Sequence, residues 1–154
     1  MKNRVHLSFL RTGCLLTFLM LAVFSSCKDD DATGPSGVTV QGTLNLPSAA
    51  AGKIWGVLID NDLNGDNGYV QLGMGTCGTG LTVPYTINNV PRGVYYIYAV
   101  VFIVGDEDQG PQVGDFIGIY GGQIPDNTPV SPNATVGTGE NKFDIDLYLI
   151  QIPL

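Results

Sequence analysis

The sequence predicts an all-β protein, an antiparallel Greek-key sandwich of about seven strands. Short segments alternate apolar and polar residues with a period of two, which is the pattern of half-buried strands. Glycine and proline, 21 and 9 of the 154 residues, concentrate between these segments, where they favour turns. No segment repeats its apolar residues every three to four positions, so no amphipathic helix is predicted.

The first four strands follow from alternation, apolar content and turn residues. Segment 38–46 places apolar side chains on one face and polar ones on the other. Segment 54–59 is apolar on both faces and is therefore expected in the centre of a sheet. Shorter strands are predicted at 69–72 and 81–87. Pro84 places the latter at a sheet edge or a bulge, because proline donates no ladder hydrogen bond.

The remaining strands lie in the second half of the chain. Segment 94–104 is the longest apolar run, and its β-branched and aromatic content marks it as a strand. Further strands are predicted at 115–120 and at 143–149, where apolar residues alternate with aspartates. The glycine-rich segment 73–80 lacks the Gly-Lys-Ser/Thr ending of a phosphate-binding loop, so we expect a mobile connection there.

Residues 1–26 are predicted to be a lipoprotein signal peptide. Basic residues precede the apolar run 14–24, which is too short to span a membrane. The sequence Phe-Ser-Ser-Cys at 24–27 resembles a bacterial lipobox, with phenylalanine where leucine is usual, and the resemblance implies cleavage before Cys27 and lipid on its thiol. The alternative is an ordinary signal peptide followed by an unmodified Cys27.

Residues 27–37 are predicted to be a lipidated cysteine and an acidic, flexible tether to a sandwich domain at 38–154. The acidic run 28–31, Lys-Asp-Asp-Asp, is similar to tags that send lipoproteins to the outer face of the outer membrane. We therefore expect an outer-membrane lipoprotein exposed on the surface of a diderm bacterium and held to the membrane by its lipid. The alternative interpretation of 28–31 is a solvated start to the linker.

Removal of the signal peptide leaves an acidic chain with little scope for imidazole or thiol chemistry. Four basic residues then face 14 acidic ones, a net charge of 4 − 14 = −10, which argues against a nucleic-acid partner. The sole histidine, His6, leaves with the signal. With Cys27 lipidated, Cys77 is the only thiol, so no intramolecular disulfide forms and we expect Cys77 to be buried.

One motif resembles a known family of sandwich domains. Residues 85–95, Tyr-Thr-Ile-Asn-Asn-Val-Pro-Arg-Gly-Val-Tyr, are similar to the turn that precedes the longest strand in transthyretin-like and carboxypeptidase-regulatory domains. The resemblance covers about 38–150 and implies a seven-stranded Greek-key sandwich, commonly a non-catalytic accessory or stalk module. The histidine-dependent hydrolase branch of that superfamily does not fit, because the mature chain has no histidine.

The strongest local signal for a ligand is an acidic loop. Asp60, Asp62 and Asn64 place oxygen donors at alternate residues before Gly65, and Asp66 adds a carbonyl, as in the first half of a calcium loop. A helical EF-hand does not fit, because its twelfth position falls on Gln71 instead of a bidentate glutamate, and the flanking segments are predicted strands. The alternative is an ordinary turn. A second acidic loop, 106–110, is expected to be a solvated charge cluster, with a second calcium site as the alternative.

Aromatic residues offer a different kind of site. They could form a flat platform for sugar rings, or they could belong to the core, as aromatic residues on central strands usually do. Adjacent tyrosines on one strand must point to opposite faces. The residues in question are Trp55, Tyr95, Tyr96, Tyr98 and Tyr120.

These observations argue against an enzyme. Without histidine there is no Ser–His or Cys–His pair and no imidazole ligand for catalytic zinc. We expect a non-catalytic extracellular binding or accessory module for a glycan or a partner protein, with calcium as the one cofactor suggested. The alternative is a structural spacer or assembly component of a surface complex, which an apolar patch or a free strand edge would favour. A carboxylate hydrolase, the third hypothesis, requires two acids facing each other at roughly 5–10 Å.

Overall fold

Two β-sheets make up the part of the chain that the structure describes. The structure is a computed structural model; it describes residues 37–63 and 68–151 and contains nine strands there. The all-β sandwich class predicted from the sequence is confirmed, while the Greek-key connectivity stays a prediction. The strands are β1 (Val38–Asn45), β2 (Ile54–Asp60), β3 (Gln71–Thr76), β4 (Thr82–Val90), β5 (Gly93–Val101), β6 (Phe116–Ile119), β7 (Ala134–Val136), β8 (Ile145–Asp146) and β9 (Tyr148–Leu149).

The smaller sheet has three strands in the order β4-β1-β8. β1 pairs antiparallel with β4 and parallel with the two-residue β8. Pro84 lies in β4 at the edge of this sheet, as its missing N–H predicted. Because the exposed side chains of β4 alternate with buried ones, this strand presents a polar outer surface of threonine, proline and asparagine.

The larger sheet has six strands in the order β3-β2-β5-β6-β9, with β7 beside the start of β5. β2 lies between β3 and β5 and pairs antiparallel with both, so the central position predicted for 54–59 is confirmed. β5 is the longest strand of this sheet and pairs with three others. Both central strands are apolar on both faces, which distinguishes this sheet from the smaller one.

The core lies between the two sheets and draws side chains from almost every strand. Alternate residues of β2 and β5 point into it, and they meet residues of β1 and β4 from the opposite sheet. Phe143 and Leu147 extend the core beyond the short final strands. The largest fully buried aliphatic side chains are Val40, Leu44, Val57, Ile59, Val90, Ile97, Val101, Ile119, Val136 and Ile145.

The glycine-rich segment differs from its prediction. Residues 71–76 form β3, so the mobile connection expected over 73–80 is wrong for its first half. A Cβ on Gly73 would lie 2.7 Å from the Ile87 side chain, and one on Gly75 would lie 2.6 Å from the Trp55 indole. The glycines are therefore required by close packing across the core and not by a turn.

Two further differences concern the short strands. β7 was not predicted, because its three residues are too few to show a period. The single strand predicted over 143–149 is divided, since β8 pairs with the smaller sheet and β9 with the larger one. The described residues, 37–63 and 68–151, belong to one compact unit that contains every core residue. Within the described residues, no helix is long and apolar enough to cross a membrane.

Candidate functional site

Among the residues that the structure describes, Asp60 is the one buried carboxylate with an oxygen that lacks a hydrogen bond of ordinary geometry. It ends β2, is only 2% exposed, and its Oδ1 accepts hydrogen bonds from the backbone N–H of Asn61 at 2.6 Å and of Asp62 at 3.4 Å. Its Oδ2 is buried and makes no hydrogen bond of ordinary geometry with any described residue. A buried acceptor without a donor is costly, and a bound cation would satisfy it.

The rest of the predicted calcium loop is only partly described. Asp62 is half-buried beside Asp60, whereas Asn64 and Asp66 lie outside the described residues. In the described ranges, no three histidine, cysteine, aspartate or glutamate side chains converge on one point. Asp60 Oδ2 is nevertheless the kind of donor that a hard cation takes, and calcium binding at this loop stays a prediction.

Tyr98 lies beside these carboxylates on the neighbouring strand. Burial raises the pKa of the Tyr98 hydroxyl, and the charges of Asp60 and Asp62, together with a hydrogen-bonding interaction with Asp60, raise it further. The hydroxyl therefore stays protonated and faces the acidic end of β2. This places an aromatic side chain between the acidic loop and the apolar outer face of the larger sheet.

The second acidic loop is held together by its own side chains. Asp106 Oδ1 accepts hydrogen bonds from the backbone N–H of Asp108 at 3.2 Å and of Gln109 at 2.9 Å. Its Oδ2 accepts a bond of 3.1 Å from the Gln109 side-chain amide. An aspartate that bonds the backbone two and three residues ahead stabilises a turn, so this loop has a structural explanation.

Asp115 is the most heavily used carboxylate in the described chain, and no sequence signal singled it out. It is fully buried, and its Oδ1 accepts backbone hydrogen bonds from Ile103, Val104 and Gly105 at 2.7, 2.7 and 3.2 Å. Its Oδ2 accepts a fourth, of 2.8 Å, from Gln112. Burial alone would raise the pKa of Asp115, but these four donors outweigh it and the pKa is lowered. This side chain anchors the loop between β5 and β6.

The predicted aromatic platform does not form. Trp55 and Tyr95 are 7% and 5% exposed and belong to the core, because inward-facing positions on β2 and β5 lie opposite the smaller sheet. Tyr96 points to the other face but is also buried. Tyr98 is half-buried, and Tyr120 packs edge-on against Phe143 with ring centroids 4.9 Å apart. The five side chains are not exposed together, and Trp55 and Tyr95 follow the core alternative that the sequence left open.

Tyr95 has a structural role instead. Its hydroxyl donates a hydrogen bond of 3.1 Å to the carbonyl of Pro91, four residues earlier, across the turn between β4 and β5. The backbone of Asn89 has a positive φ of 61° just before this turn. The turn segment that carries the family resemblance is thus tied down by the tyrosine that ends it.

Sequence analysis did not predict the exposed apolar surface on the larger sheet. Since Trp55, Val57 and Ile59 point into the core, the alternate residues of β2 and their cross-strand neighbours point outward. Met74 and Ile54 are 47% and 37% exposed, and the others are half-buried. We call this surface the apolar patch; it consists of Ile54, Leu58, Leu72, Met74 and Tyr98.

Two carboxylates share one cleft, but they do not face each other across it. A polar cleft of about 350 Å³ is lined by Asp144, Asp146, Tyr148 and residues of the loop after β6. The two acids stand two residues apart along one extended segment, and each is used by β1. Asp144 Oδ1 accepts a bond of 2.9 Å from the Thr43 N–H, and Asp146 Oδ1 accepts one of 2.7 Å from the Asn45 side chain.

Of the two cysteines expected in the mature chain, the structure describes only Cys77. Cys27 lies outside the described residues, so its lipidation stays a prediction. Cys77 is 3% exposed, which confirms the expectation that it is buried, and burial raises the pKa of its thiol. A buried thiol with a raised pKa is a poor nucleophile.

Comparison of the chain with protein-family models, curated proteins and solved structures gives no match.

Proposed function

We propose that the protein is a non-catalytic module of the bacterial cell surface that works through contact with another protein. In this proposal Cys27 carries the lipid that holds it to the outer membrane, and 28–37 is the tether. The single observation that supports protein contact is the apolar patch, which lies on a sheet face that the core does not need. Exposed apolar surface on a soluble domain is typical of an interaction site.

The use of the carboxylates supports a non-catalytic role. Asp115 and Asp106 hold backbone N–H groups, and Asp144 and Asp146 bond β1. Glycoside hydrolysis needs one acid on each side of the scissile bond, and the pair in the polar cleft lies side by side. The mature chain also lacks histidine. A hydrolase is therefore the least supported of the three hypotheses.

A protein partner is better supported than a glycan. Sugar-binding surfaces need aromatic rings exposed together, and of the five candidates only Tyr98 belongs to the exposed patch. The patch is mainly aliphatic, with Ile54, Leu58, Leu72 and Met74, which suits side chains of another protein. The assembly-component hypothesis also receives support, because an apolar patch and a free strand edge both occur on the larger sheet.

The contact is tested by site-specific photo-crosslinking in intact cells. A photoreactive residue replaces Met74 in the patch, and in a matched variant it replaces Thr86, which is exposed on the smaller sheet. We expect light-dependent crosslinked species from position 74 and none from position 86. Equal crosslinking from both positions, or none from position 74, would contradict the proposal.

The anchor needs its own test, since it concerns residues outside those described. Labelling with a fatty-acid analogue is expected to mark the wild-type chain and to be lost in Cys27→Ala. Protease added to intact cells is expected to remove the wild-type domain. Protection of the domain in intact cells but not in broken ones would place it inside the outer membrane.

A second element of the proposal is that the loop beginning at Asp60 binds calcium. The observation that favours it is Asp60 Oδ2, which lies in a side chain that is 2% exposed and accepts no hydrogen bond of ordinary geometry, although the Tyr98 hydroxyl lies near this carboxylate. Asp60 and Asp62 would supply carboxylate oxygens, with Asn64 and Asp66 as the further ligands predicted from the sequence. Calcium would neutralise two like charges and join the loop to β2, next to Tyr98 and the apolar patch.

The melting temperature of the soluble fragment 33–154 in EDTA and in calcium tests this element. Calcium at 100 times its dissociation constant stabilises the folded state by about 2.7 kcal/mol. For a domain of this size that is a rise of several degrees. We expect Asp62→Ala to abolish the rise and Asp108→Ala, which removes the same charge from the other acidic loop, to keep it. No rise up to about 10 mM calcium, above the range of extracellular sites, would reduce the segment to a turn.

A further inference from the structure

We propose that two copies of this chain pair through β3, joining their larger sheets edge to edge into one continuous antiparallel sheet. This inference rests on the proposed function and names the partner as a second copy. It is carried by the backbone of β3, by the contrast with the other sheet edges, and by the self-complementary register of this strand.

The outward-facing backbone groups of β3 can be assigned from its ladder with β2. Cys77 N–H donates to the carbonyl of Lys53 at 2.8 Å, and hydrogen-bonded pairs alternate along an antiparallel ladder. The N–H and C=O groups of Gly75 and Gly73 therefore face β2. Those of Leu72, Met74 and Thr76 face away from it, and among the described strands β3 pairs only with β2.

The two described sheets have four edge strands, β3, β4, β8 and β9. Of these four, β3 alone lacks a feature that discourages pairing with a strand of another chain. β4 carries Pro84, and its ladder with β1 has a register shift. β8 and β9 are two residues long. β3 has six residues with no proline, no charged side chain and an unbroken register against β2. Natural sheets protect long edges with these same devices, and their absence leaves β3 open to pairing with a strand of another chain.

The outward groups of β3 match those of a second β3 in one symmetric register. With Met74 opposite Met74 of the second copy, Leu72 lies opposite Thr76 and Thr76 opposite Leu72. All three outward-facing residues then fall in hydrogen-bonded pairs, which gives about six interchain hydrogen bonds. The intervening Gly73 and Gly75 face each other with no side chain to obstruct the approach. The arrangement is isologous, as in most homodimers.

The side chains of this register are compatible across the two-fold axis. Met74, Leu72 and Thr76 lie on the outer face, so the apolar patches of the two copies become one surface. No charged residue lies in either β3. Because the paired strands run antiparallel, Asp60 at the end of β2 lies at the same height as Lys53, just before β2, in the other copy. The two Asp60 side chains therefore do not face each other. The Asp60 and Lys53 charges are three strand spacings apart, about 14 Å, so they orient the pair weakly.

The size of the contact predicts weak association. Six strand residues and their neighbours bury less than the roughly 1,200 Å² of a stable interface, so we expect a dissociation constant on the order of 100 μM. Lipid anchoring confines the copies to one surface and raises their effective concentration. Fragment 33–154 has 3 basic and 11 acidic residues, a net charge of 3 − 11 = −8, so dimerisation should strengthen as salt screens the repulsion.

Disulfide trapping tests the register. In a Cys77→Ala background of fragment 33–154, Met74→Cys places two thiols opposite each other with Cα atoms about 5.5 Å apart, within the range of a disulfide. We expect mild oxidation to give a covalent dimer that no longer forms in urea. Leu72→Cys is the matched control on the same face, because its equivalent lies four residues away, about 14 Å, beyond disulfide reach. The double variant Leu72→Cys/Thr76→Cys is expected to crosslink. Equal trapping of Leu72→Cys and Met74→Cys would overturn this register.

Sedimentation of the same fragment tests the association itself. We expect mostly monomer at about 10 μM and mostly dimer at about 1 mM, in proportions set by the predicted affinity. Met74→Lys puts like charges on the two-fold axis and should abolish the dimer, whereas Thr86→Lys on the smaller sheet should keep it. A wild-type fragment that stays monomeric at 1 mM, or a Met74→Lys fragment that dimerises like the wild type, would overturn the inference. If crosslinks from position 74 in cells then led to a different protein, the proposed function would stand while the second copy would be excluded.

Discussion

Replacement of Asp115 is expected to unfold the loop between β5 and β6 at a large cost in stability. The carboxylate is fully buried and accepts four backbone hydrogen bonds, from Ile103, Val104, Gly105 and Gln112. At roughly 1 kcal/mol net for each bond, Asp115→Ala should lower the free energy of unfolding by about 4 kcal/mol. Asp115→Asn keeps an acceptor for three donors but points its amide at the Gln112 N–H, so about half of that loss is expected.

Urea unfolding of fragment 33–154 at pH 7 measures this loss, with Asp126→Ala as the control for removing an exposed acid. The control should differ from the wild type by less than about 0.5 kcal/mol, as surface substitutions do. A loss in Asp115→Ala that exceeded the control by less than 1 kcal/mol would refute the reasoning, because the four donors would then have adequate partners without the carboxylate.

The same side chain predicts a pH dependence with a definite sign. The pKa of Asp115 is lowered from 3.8 in the folded state, so its contribution is fully present above that value and is lost as the pH falls through the folded pKa. The stability difference between the wild type and Asp115→Asn should therefore be constant from pH 7 to pH 5. It should shrink below about pH 3.8, and a difference that grew on acidification would contradict the lowered pKa.

Three further predictions concern the core. Gly75→Ala should lower the free energy of unfolding by about 1–3 kcal/mol and shift the Trp55 emission, because the new Cβ would lie 2.6 Å from the indole. Unchanged emission in a fluorescence scan would count against this contact. Tyr85→Phe should cost about 1–2 kcal/mol by removing the 2.6 Å bond from the hydroxyl to the Phe143 carbonyl. Because the pKa of Tyr85 is raised from 10.0, that difference should be constant below pH 10 and shrink above it in urea titrations. Cys77 should react with a thiol reagent much more slowly in the native fragment than in urea, and equal rates would mean that the thiol is open to solvent.

The local sequence pattern was enough to predict a strand where the composition of the segment, or a property of one of its residues, indicates its position in the sheet. Segment 54–59 is apolar on both faces because it lies centrally in its sheet with its outer face beside other apolar strands, and its composition shows this directly. Pro84 marks an edge because the missing donor is a property of the residue itself. Only the start of β3 could be recognised in this way, within the strand predicted at 69–72. Its glycines are required by Ile87 and Trp55, which approach from other strands, and nothing within 71–76 reports on them.

The candidate site shows the same limit. Asp60 could be singled out because the spacing of the acidic loop is a local signal, but its unpartnered oxygen appears only once the chain is folded. In the sequence, Asp115 looks like the polar first residue of a strand. Its four hydrogen-bond donors are backbone N–H groups 3 to 12 residues earlier, in a loop with no periodic pattern that could predict them. The sequence left Trp55 and Tyr95 open between a ligand platform and the core, because their inward direction depends on the pairing of β2 with β5.

The outer face of the smaller sheet is polar, whereas that of the larger sheet is apolar, and this difference favours contact of the larger sheet with another chain. Both sheets supply one apolar face to the core, and an antiparallel sheet needs no more than that, so its second face can be polar. The smaller sheet follows this rule, with Thr82, Thr86 and Asn88 facing outward from β4. The larger sheet does not, because Leu58 and Met74 stand where the core gains nothing from them. Apolar side chains in such positions lower solubility unless something covers them, and the strand at that edge is also the one left unprotected. Contact with other chains would account for both features, since a partner can cover the patch and a strand can pair with the edge.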